Sequence, residues 1–287
     1  MTIPADENQI QHQHQIQENL DAAAELIAEA DAVLVCSGAG IGIDSGLPDF
    51  RGDNGFWNAY PALGTRGISF VEIANPQAFR QHPRLAWGFY GHRLQLYRQV
   101  QPHLGFSHLL RLAKALPLGM RHFTSNVDGQ FQKAGFASEH VVECHGSIHY
   151  LQCSRQCGNP AWPATGFEPE IDEAQCLLLS ELPVCPVCGG LARPNILMFG
   201  DWDFEGDRYQ QAQDRLLTWF ARSQRAIVIE IGAGTAIPSA RRFGAALDVP
   251  LIRINPGEPG VARSRDVSIA TGAQNALTRL VELLKIT

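Results

Sequence analysis

The 287-residue sequence lacks several features that point to common classes of protein. No apolar run is long enough to span a bilayer, and the first residues have neither the basic n-region nor the apolar h-region of a secretory signal. Charged residues are few, at 18%, and the formal net charge is -6. We therefore expect no membrane or nucleic-acid partner, and we expect disorder only at the ends of the chain.

The missing secretory signal makes an intracellular, reducing setting, the cytoplasm, the default expectation. The seven cysteines are then expected to be metal ligands or core residues rather than disulfides. Cys153 and Cys157 form one short pair, and Cys185 and Cys188 form a second in a Cys-Pro-Val-Cys-Gly-Gly turn. Two such pairs are typical of a tetrahedral, structural zinc site with no position left for water. Cys176 lies between the pairs and is an alternative ligand.

The ordinary dinucleotide-binding fingerprint is also missing. An apolar run, Ala32 to Cys36, predicts a buried parallel strand, and Gly38, Gly40 and Gly42 follow it at alternate positions. The third glycine of G-x-G-x-x-G is absent, and Pro48 comes too early for a long crossover helix. A glycine turn at a strand end still offers backbone N–H groups to an anion. We therefore predict a phosphate-binding turn.

The next loop carries an acid, an aromatic ring and a fixed cation side by side, in Asp49, Phe50 and Arg51. Such a loop suits a lid over the reactive end of a nucleotide. Polar residues also follow two later strands: Asn126 and Asp128 follow strand 120–124, and His145 follows a strand over 140–144. Because doubly wound sheets bind ligands at the carboxyl ends of their strands, these residues are expected to converge. His145 is a credible general base.

The order of elements predicts an α/β fold, a Rossmann-like doubly wound parallel sheet with a small zinc-ribbon and helical second domain. Residues 1–15, which include a Gln/His tract, are predicted to be a disordered tail. The sheet domain is expected to combine three stretches: 16–52, 105–150 and 195–287. The second domain is expected to combine an aromatic-rich helical insertion with the four-cysteine module: 53–104 and 151–194.

Taken in order, these motifs resemble those of the sirtuins, which are NAD-dependent protein deacylases. The resemblance extends from about residue 20 to the C-terminus. It rests on Gly38-Ala-Gly-Ile, Ser45-Gly-Leu-Pro-Asp-Phe-Arg-Gly52, Thr124-Ser-Asn-Val-Asp128, His145-Gly146, the cysteine pairs, Phe199-Gly200 and Asn255. It implies that NAD lies in the cleft between two domains and that one zinc is structural. The chain departs from the family pattern at Ser125, where most members carry Gln, and in its Gly232-Ala-Gly-Thr235 turn.

The resemblance also implies roles for individual residues. Gly38, Ala39 and Gly40 would cradle the NAD diphosphate with charge from Arg51 nearby, and Phe50 would cover the nicotinamide–ribose bond. The remaining NAD contacts implied in this way are Asp44, Asp49, Ser125, Asn126, Val127, Asp128, Gly232, Ala233, Gly234, Thr235, Asn255, Pro256 and Ala273.

The implied catalytic residues are His145, Asn126 and Asp128. His145, neutral near pH 7, would remove a ribose hydroxyl proton so that the sugar oxygen attacks the acyl carbon. Asp49 or Asp128 would stabilise the cationic state. The acyl-lysine of a protein or peptide would enter as an added strand beside Phe199 and Gly200. The products would be free lysine, nicotinamide and 2′-O-acyl-ADP-ribose.

Other functions stay open on the same residues. In mono-ADP-ribosyl transfer or NAD hydrolysis, a protein side chain or water would trap the same cation. A non-enzymatic NAD-sensing or zinc-stabilised binding module is a further alternative, against which Asn126, Asp128 and His145 together argue. A hydride-transferring dehydrogenase is disfavoured because the fingerprint is missing.

Overall fold

The computed structural model describes residues 5–48 and 52–286. In chain order its strands are β1 (Ala32–Ser37), β2 (Met120–Thr124), β3 (Val141–Glu143), β4 (Gly146–Cys153), β5 (Trp162–Pro163), β6 (Ile171–Asp172), β7 (Leu177–Leu178), β8 (Ala192–Ile196), β9 (Ala226–Ile231), β10 (Leu251–Ile254) and β11 (Val267–Ile269). Asp49, Phe50 and Arg51, predicted to form a lid, lie outside the described ranges.

The α-helices in the same ranges are α1 (Ala5–Glu29), α2 (Gly52–Ala59), α3 (Pro61–Thr65), α4 (Phe70–Ile73), α5 (Pro76–Gln81), α6 (Pro83–Gln99), α7 (Leu104–Ala115), α8 (Gln130–Lys133), α9 (Asp207–Phe220), α10 (Ser239–Ala246) and α11 (Ala273–Leu283). Two 3-10 helices cover Ala39–Ser45 and Ser138–His140. No helix of the described chain is both long enough and apolar enough to cross a membrane.

The main sheet has six parallel strands in the order β11-β10-β9-β1-β2-β3. The chain proceeds outward from β1 through β2 and β3, returns to β9 beside β1, and then proceeds outward in the other direction. This is the doubly wound order, and its switch point lies between β1 and β9. Ser37 and Ile231 are paired, so both strands end at the same level. The predicted fold class is confirmed.

Both faces of this sheet are covered, which explains why β1 is apolar at every position but its last. Val33 and Val35 belong to the core under α1, α7 and α11, whereas Leu34 and Cys36 belong to the opposite core under α9 and α10. The alternation follows from the two-residue period of a strand. A buried parallel sheet of this kind leaves its loops at the strand ends free for ligand binding.

The smaller layer joins the helical insertion to the cysteine module through one aromatic-rich cluster. The indole of Trp87 in α6 donates a hydrogen bond of 3.0 Å to the carbonyl oxygen of Ala192 in β8. Strands β4, β5 and β8 form an antiparallel sheet. Since β4 begins at Gly146 and β8 ends at Ile196, both strands cross the domain boundaries expected near residues 150 and 195.

The prediction of a disordered tail over residues 1–15 is wrong for residues 5–15, which form the first turns of α1. Gln and Glu are good helix formers, and polar pairs four residues apart, such as Gln15 with Asn19, stabilise an exposed helix. The apolar side of α1 then anchors it, because Leu20 and Ile27 are buried in the main core. Polar composition alone therefore does not exclude helix.

Gly88 allows α6 to lie directly against the backbone next to β7. A Cβ at this position would overlap the carbonyl group of Cys176. We expect Gly88→Ala to lower the free energy of unfolding by about 1–3 kcal/mol, because overpacking forces backbone to move. Urea unfolding of the full chain measures this. Gly260→Ala is the control, since a Cβ there meets nothing within 4 Å; equal midpoints for the two variants would contradict the prediction.

Candidate active site

Two small-residue turns meet at the switch point of the sheet. The turn after β1 begins at Gly38, and the turn after β9 begins at Gly232, whose φ is +59°. The Gly40 amide donates a hydrogen bond of 3.0 Å to the Gly232 carbonyl oxygen. A Cβ on Gly40 would lie 2.7 Å from the Gly232 Cα. Glycine is therefore required here by the contact between two backbones, in addition to any approach of a phosphate.

The turn after β1 continues as a 3-10 helix that is tied to α11. The Asp44 carboxylate accepts a hydrogen bond of 2.8 Å from the Gln274 amide, at the first turn of α11. A carboxylate is favoured at a helix N-terminus, where amide groups lack partners inside the helix. Asp44 thus holds the glycine turn against the buried Ala273.

The residues after β2 connect that strand to the glycine turn. The Ser37 hydroxyl donates to the Thr124 hydroxyl at 2.9 Å, and the same Thr124 oxygen accepts from the Asn126 amide at 3.1 Å. The Asn126 side chain then donates to the Gly38 carbonyl oxygen at 3.1 Å, and the Ser125 amide donates to the Ser37 carbonyl oxygen. Asn126 is thereby oriented toward the predicted phosphate turn.

Val127 and Asp128 are both buried behind Asn126. The Asp128 carboxylate accepts a hydrogen bond of 2.9 Å from the Gln130 amide, and its backbone carbonyl lies 2.9 Å from Nε2 of His149. Burial raises the pKa of Asp128 to about 6, although the hydrogen bond from Gln130 and the charge of Arg93 act in the opposite direction. The group therefore changes charge close to physiological pH.

His145 stands between β3 and β4, at the same edge of the sheet. Its Nε2 lies 2.9 Å from the Ser239 hydroxyl oxygen, and its backbone carbonyl accepts from the Leu197 amide at 2.9 Å. Burial lowers the pKa of His145, and a hydrogen bond to the backbone of Ser125 opposes that shift. The imidazole is therefore neutral at pH 7, as a general base requires.

The second turn is supported from below by charges that the sequence analysis did not single out. Glu230 is fully buried and pairs with Arg253 through contacts of 2.6 and 3.0 Å. Arg241 lies 3.4 Å from the same carboxylate and donates to the Ala233 carbonyl oxygen at 2.8 Å. The sequence signal for this ion pair was Glu230, a charged residue inside the apolar run 226–231, because a buried charge needs a partner.

Asn255 closes the second turn from the side of β10. Its side-chain Nδ2 donates to the Ala233 carbonyl oxygen at 3.2 Å, and its side-chain oxygen accepts from the backbone amides of Gly257 and Glu258, both at 3.0 Å. Thr235 donates to Glu258 at 2.8 Å. The other predicted NAD contacts on these turns are exposed: Ala39, Gly234 and Pro256.

The predicted substrate segment is held in place after β8. The Phe199 amide donates to the Ala74 carbonyl oxygen at 2.9 Å, and the Phe199 ring meets the edge of Phe70 at a centroid distance of 5.7 Å. Gly200 has a φ of +63°, which favours glycine. A buried ion pair of 2.8 Å between Arg193 and Asp201 fixes the following turn.

The four predicted metal ligands meet in one cluster, with their sulfur atoms all within 4.8 Å of one another. Cys153 lies 3.5 Å from Cys188, and Cys157 lies 3.6 Å from Cys185. A tetrahedral zinc with bonds of about 2.3 Å places its sulfur atoms about 3.8 Å apart, whereas a disulfide needs about 2.0 Å. The cluster could therefore hold a metal. Cys176 is instead buried in the aromatic-rich core.

The doubly wound sheet, the two apposed turns and the polar strand ends define a class of protein, the doubly wound α/β proteins, in which ligands bind at the switch point. A sequence model described as the Sir2 family matches residues 38–233. The chain belongs to the Sir2 family, so the resemblance to the sirtuins is confirmed.

Individual relatives agree with this assignment. An NAD-dependent protein deacylase of Aquifex aeolicus (strain VF5) is 30% identical over 255 residues, which are 88% of this chain and 95% of the relative. NAD-dependent protein deacylase 1 of Archaeoglobus fulgidus is 32% identical over 267 residues, or 89% and 94% of the two chains. A Sir2 homologue solved as an NAD complex is 26% identical, with a TM-score of 0.68 and coverage of 92% of this chain and 93% of that one.

Proposed function

We propose that this chain is an NAD-dependent protein-lysine deacylase. The observation that carries the proposal is the convergence of Gly38, Asn126 and His145 at the switch point of a Sir2-family sheet. Asn126 donates to the Gly38 carbonyl oxygen at 3.1 Å, and the Cys144 amide, just before His145, donates to the Thr124 carbonyl oxygen at 2.9 Å. The two relatives described above carry the name of NAD-dependent protein deacylase, which supports the same activity here.

The residues at the two turns fit a dinucleotide. Gly234 is exposed, and a Cβ there would meet only a Glu258 oxygen at 4.0 Å, so space is open on the ligand side of the second turn. Gly38, Ala39 and Gly40 form the turn at the end of β1, and Ala39 is its exposed residue. Bound NAD supplies an ADP-ribosyl electrophile whose leaving group is nicotinamide. Ala39, Gly40 and Asn255 are our proposed contacts to its phosphate and adenosine parts.

Each side chain around the cleft has its own role in the proposed reaction. His145 would accept a proton from a ribose hydroxyl at Nε2, since its half-buried ring is neutral at pH 7. Asp128, when ionised, places a negative charge near the developing cation. Asn126 orients the pocket wall through its fixed amide. The acyl-lysine of a protein or peptide would lie along the segment of Phe199 and Gly200. With NAD and one water consumed, the products would be lysine, nicotinamide and 2′-O-acyl-ADP-ribose.

We also propose that one zinc ion is bound by Cys153, Cys157, Cys185 and Cys188. Four thiolates are a closed, soft donor set, so the ion has a structural role. The observed sulfur separations of 3.5 and 3.6 Å support a tetrahedral arrangement. A site of this kind needs reduced cysteines, which favours a reducing compartment such as the cytoplasm.

Substitution of His145 tests the proposed reaction. We expect His145→Ala to lower kcat/KM for an acetyl-lysine peptide with NAD by about 100-fold or more, because a general base contributes at least that factor. Mass spectrometry of 2′-O-acetyl-ADP-ribose is the measurement. His12→Ala, on the exposed part of α1, is the matched control. Full activity in His145→Ala would refute the mechanism. Label from NAD on protein, or free ADP-ribose without peptide, would favour ADP-ribosyl transfer or hydrolysis instead.

The pH profile tests the two titrating groups. Because Asp128 has a pKa of about 6 and burial lowers the pKa of His145, both groups are in their active forms at pH 7. As the pH falls through about 6, Asp128 gains a proton and kcat/KM should decline. In Asp128→Asn, the activity should be weaker, and the decline near pH 6 that belongs to Asp128 should be lost, so that the acid limb follows His145 alone. An unchanged acid limb in this variant would show that Asp128 does not control the profile.

Metal analysis tests the cysteine cluster. We expect about one zinc per chain in the full-length protein, and loss of that zinc together with a lower melting temperature in Cys157→Ser or after chelation. Elemental analysis and thermal unfolding are the measurements. Cys176→Ala is the matched control, because Cys176 lies outside the cluster, and it should retain the metal. A zinc-free Cys176→Ala protein would contradict the proposed ligand set.

A further inference from the structure

Ser239 lies next to His145 although nothing in the sequence motifs pointed to it. It is the first residue of α10, and its hydroxyl oxygen is 2.9 Å from Nε2 of His145. The turn from Gly232 to Pro238 connects β9 to α10 and so places Ser239 beside His145. The contact therefore occupies the nitrogen that the proposed reaction uses as a base.

The direction of this hydrogen bond follows from the second contact of the ring. The Ser125 backbone raises the pKa of His145, which is the effect of a carbonyl that accepts from a ring N–H. Since Nε2 faces Ser239, the carbonyl is the partner of Nδ1. In the neutral imidazole the proton then sits on Nδ1 and the lone pair on Nε2. The Ser239 hydroxyl is consequently the donor.

We propose that Ser239 is a positioning residue for His145, which holds Nε2 as an acceptor and occupies the place of the substrate ribose hydroxyl until the substrate displaces it. The displacement of Ser239 by the substrate rests on the proposed deacylase function. The positioning of His145 by Ser239 concerns only side chains of this chain. A hydroxyl donor that is satisfied by the base in the free protein keeps the ring in the tautomer that proton abstraction needs.

Several charged groups of the surrounding elements have partners of their own. Arg241 of α10 pairs with Glu230 and Glu258, Asp201 pairs with Arg193, and Asp128 accepts from the Gln130 amide. Among the described residues, no charged group contributes to the pKa shift of His145, which comes from burial and the Ser125 backbone. The N-terminus of α10 also disfavours a positive ring. The Ser239 hydroxyl is therefore the polar contact through which Nε2 can be tested selectively.

Removing the hydroxyl should change His145 in a definite direction. A donor to the neutral ring favours the neutral form, so Ser239→Ala should raise the pKa of His145 by about half a unit to one unit, the size of one ordinary hydrogen bond. Because no hydroxyl then competes with the ribose, KM for NAD should fall about two- to tenfold without a matching rise in kcat.

The test uses the full-length protein and four variants. Imidazole NMR titration without NAD gives the pKa of His145, whose signal is assigned by its absence in His145→Ala. Ser239→Ala should show the raised pKa, and Ser239→Thr, which keeps a hydroxyl, should restore the wild-type value. Ser107→Ala, at an exposed serine of α7, is the matched control. Equal pKa values in Ser239→Ala and Ser107→Ala would overturn the proposal.

The titration also separates this proposal from the proposed function, because it needs no turnover. A shift in Ser239→Ala with no deacylation by the wild type would sustain the contact and refute the function. An active wild type whose Ser239→Ala variant keeps the same pKa and the same KM for NAD would refute Ser239 alone. If Ser239→Ala does not fold, as judged by circular dichroism, Ser239→Cys takes its place, with the same expected direction because a thiol is a weaker donor.

Discussion

The site depends on a contact between two backbones. β1 and β9 are parallel neighbours that end in register, and the turns that follow them, at Gly40 and Gly232, meet with no room for a side chain on either glycine. A doubly wound sheet creates this meeting point because the chain leaves β1 in one direction and returns to its other side for β9. The ligand edge of the molecule is built around it.

Networks of hydrogen bonds and ion pairs then hold the residues on both sides of the two glycine turns. On one side, Ser37, Thr124 and Asn126 form a hydrogen-bonded series that reaches the Gly38 carbonyl. On the other side, buried Glu230 and Arg253 support the second turn. A buried ion pair is costly unless its remaining donors and acceptors are satisfied, so these groups serve to place the turn more than to stabilise the fold. The result is a rigid edge on which the reacting groups can be oriented.

His145 joins the two layers of the protein. It follows β3 of the parallel sheet and precedes β4 of the antiparallel sheet, and its carbonyl is bonded to Leu197 just before the Phe199 segment. Any movement between the layers therefore also moves the base relative to Asn126 and the glycine turns. At this point the half-buried imidazole is neutral and lies 2.9 Å from the Ser239 hydroxyl oxygen.

Periodicity and short motifs act over a few residues, so they could be identified in the sequence by itself. They determined the strand Ala226–Ile231, the glycine turns, the cysteine pairs and the convergence of Asn126 and His145. The tertiary structure alone decided the helical start of α1, the pairing of Glu230 with Arg253, the exclusion of Cys176 from the cysteine cluster and the contact of Ser239 with His145. Ser239 and His145 are 94 positions apart, and no local rule relates them. Such pairs form only when the crossover order of the sheet brings distant strand ends to one edge.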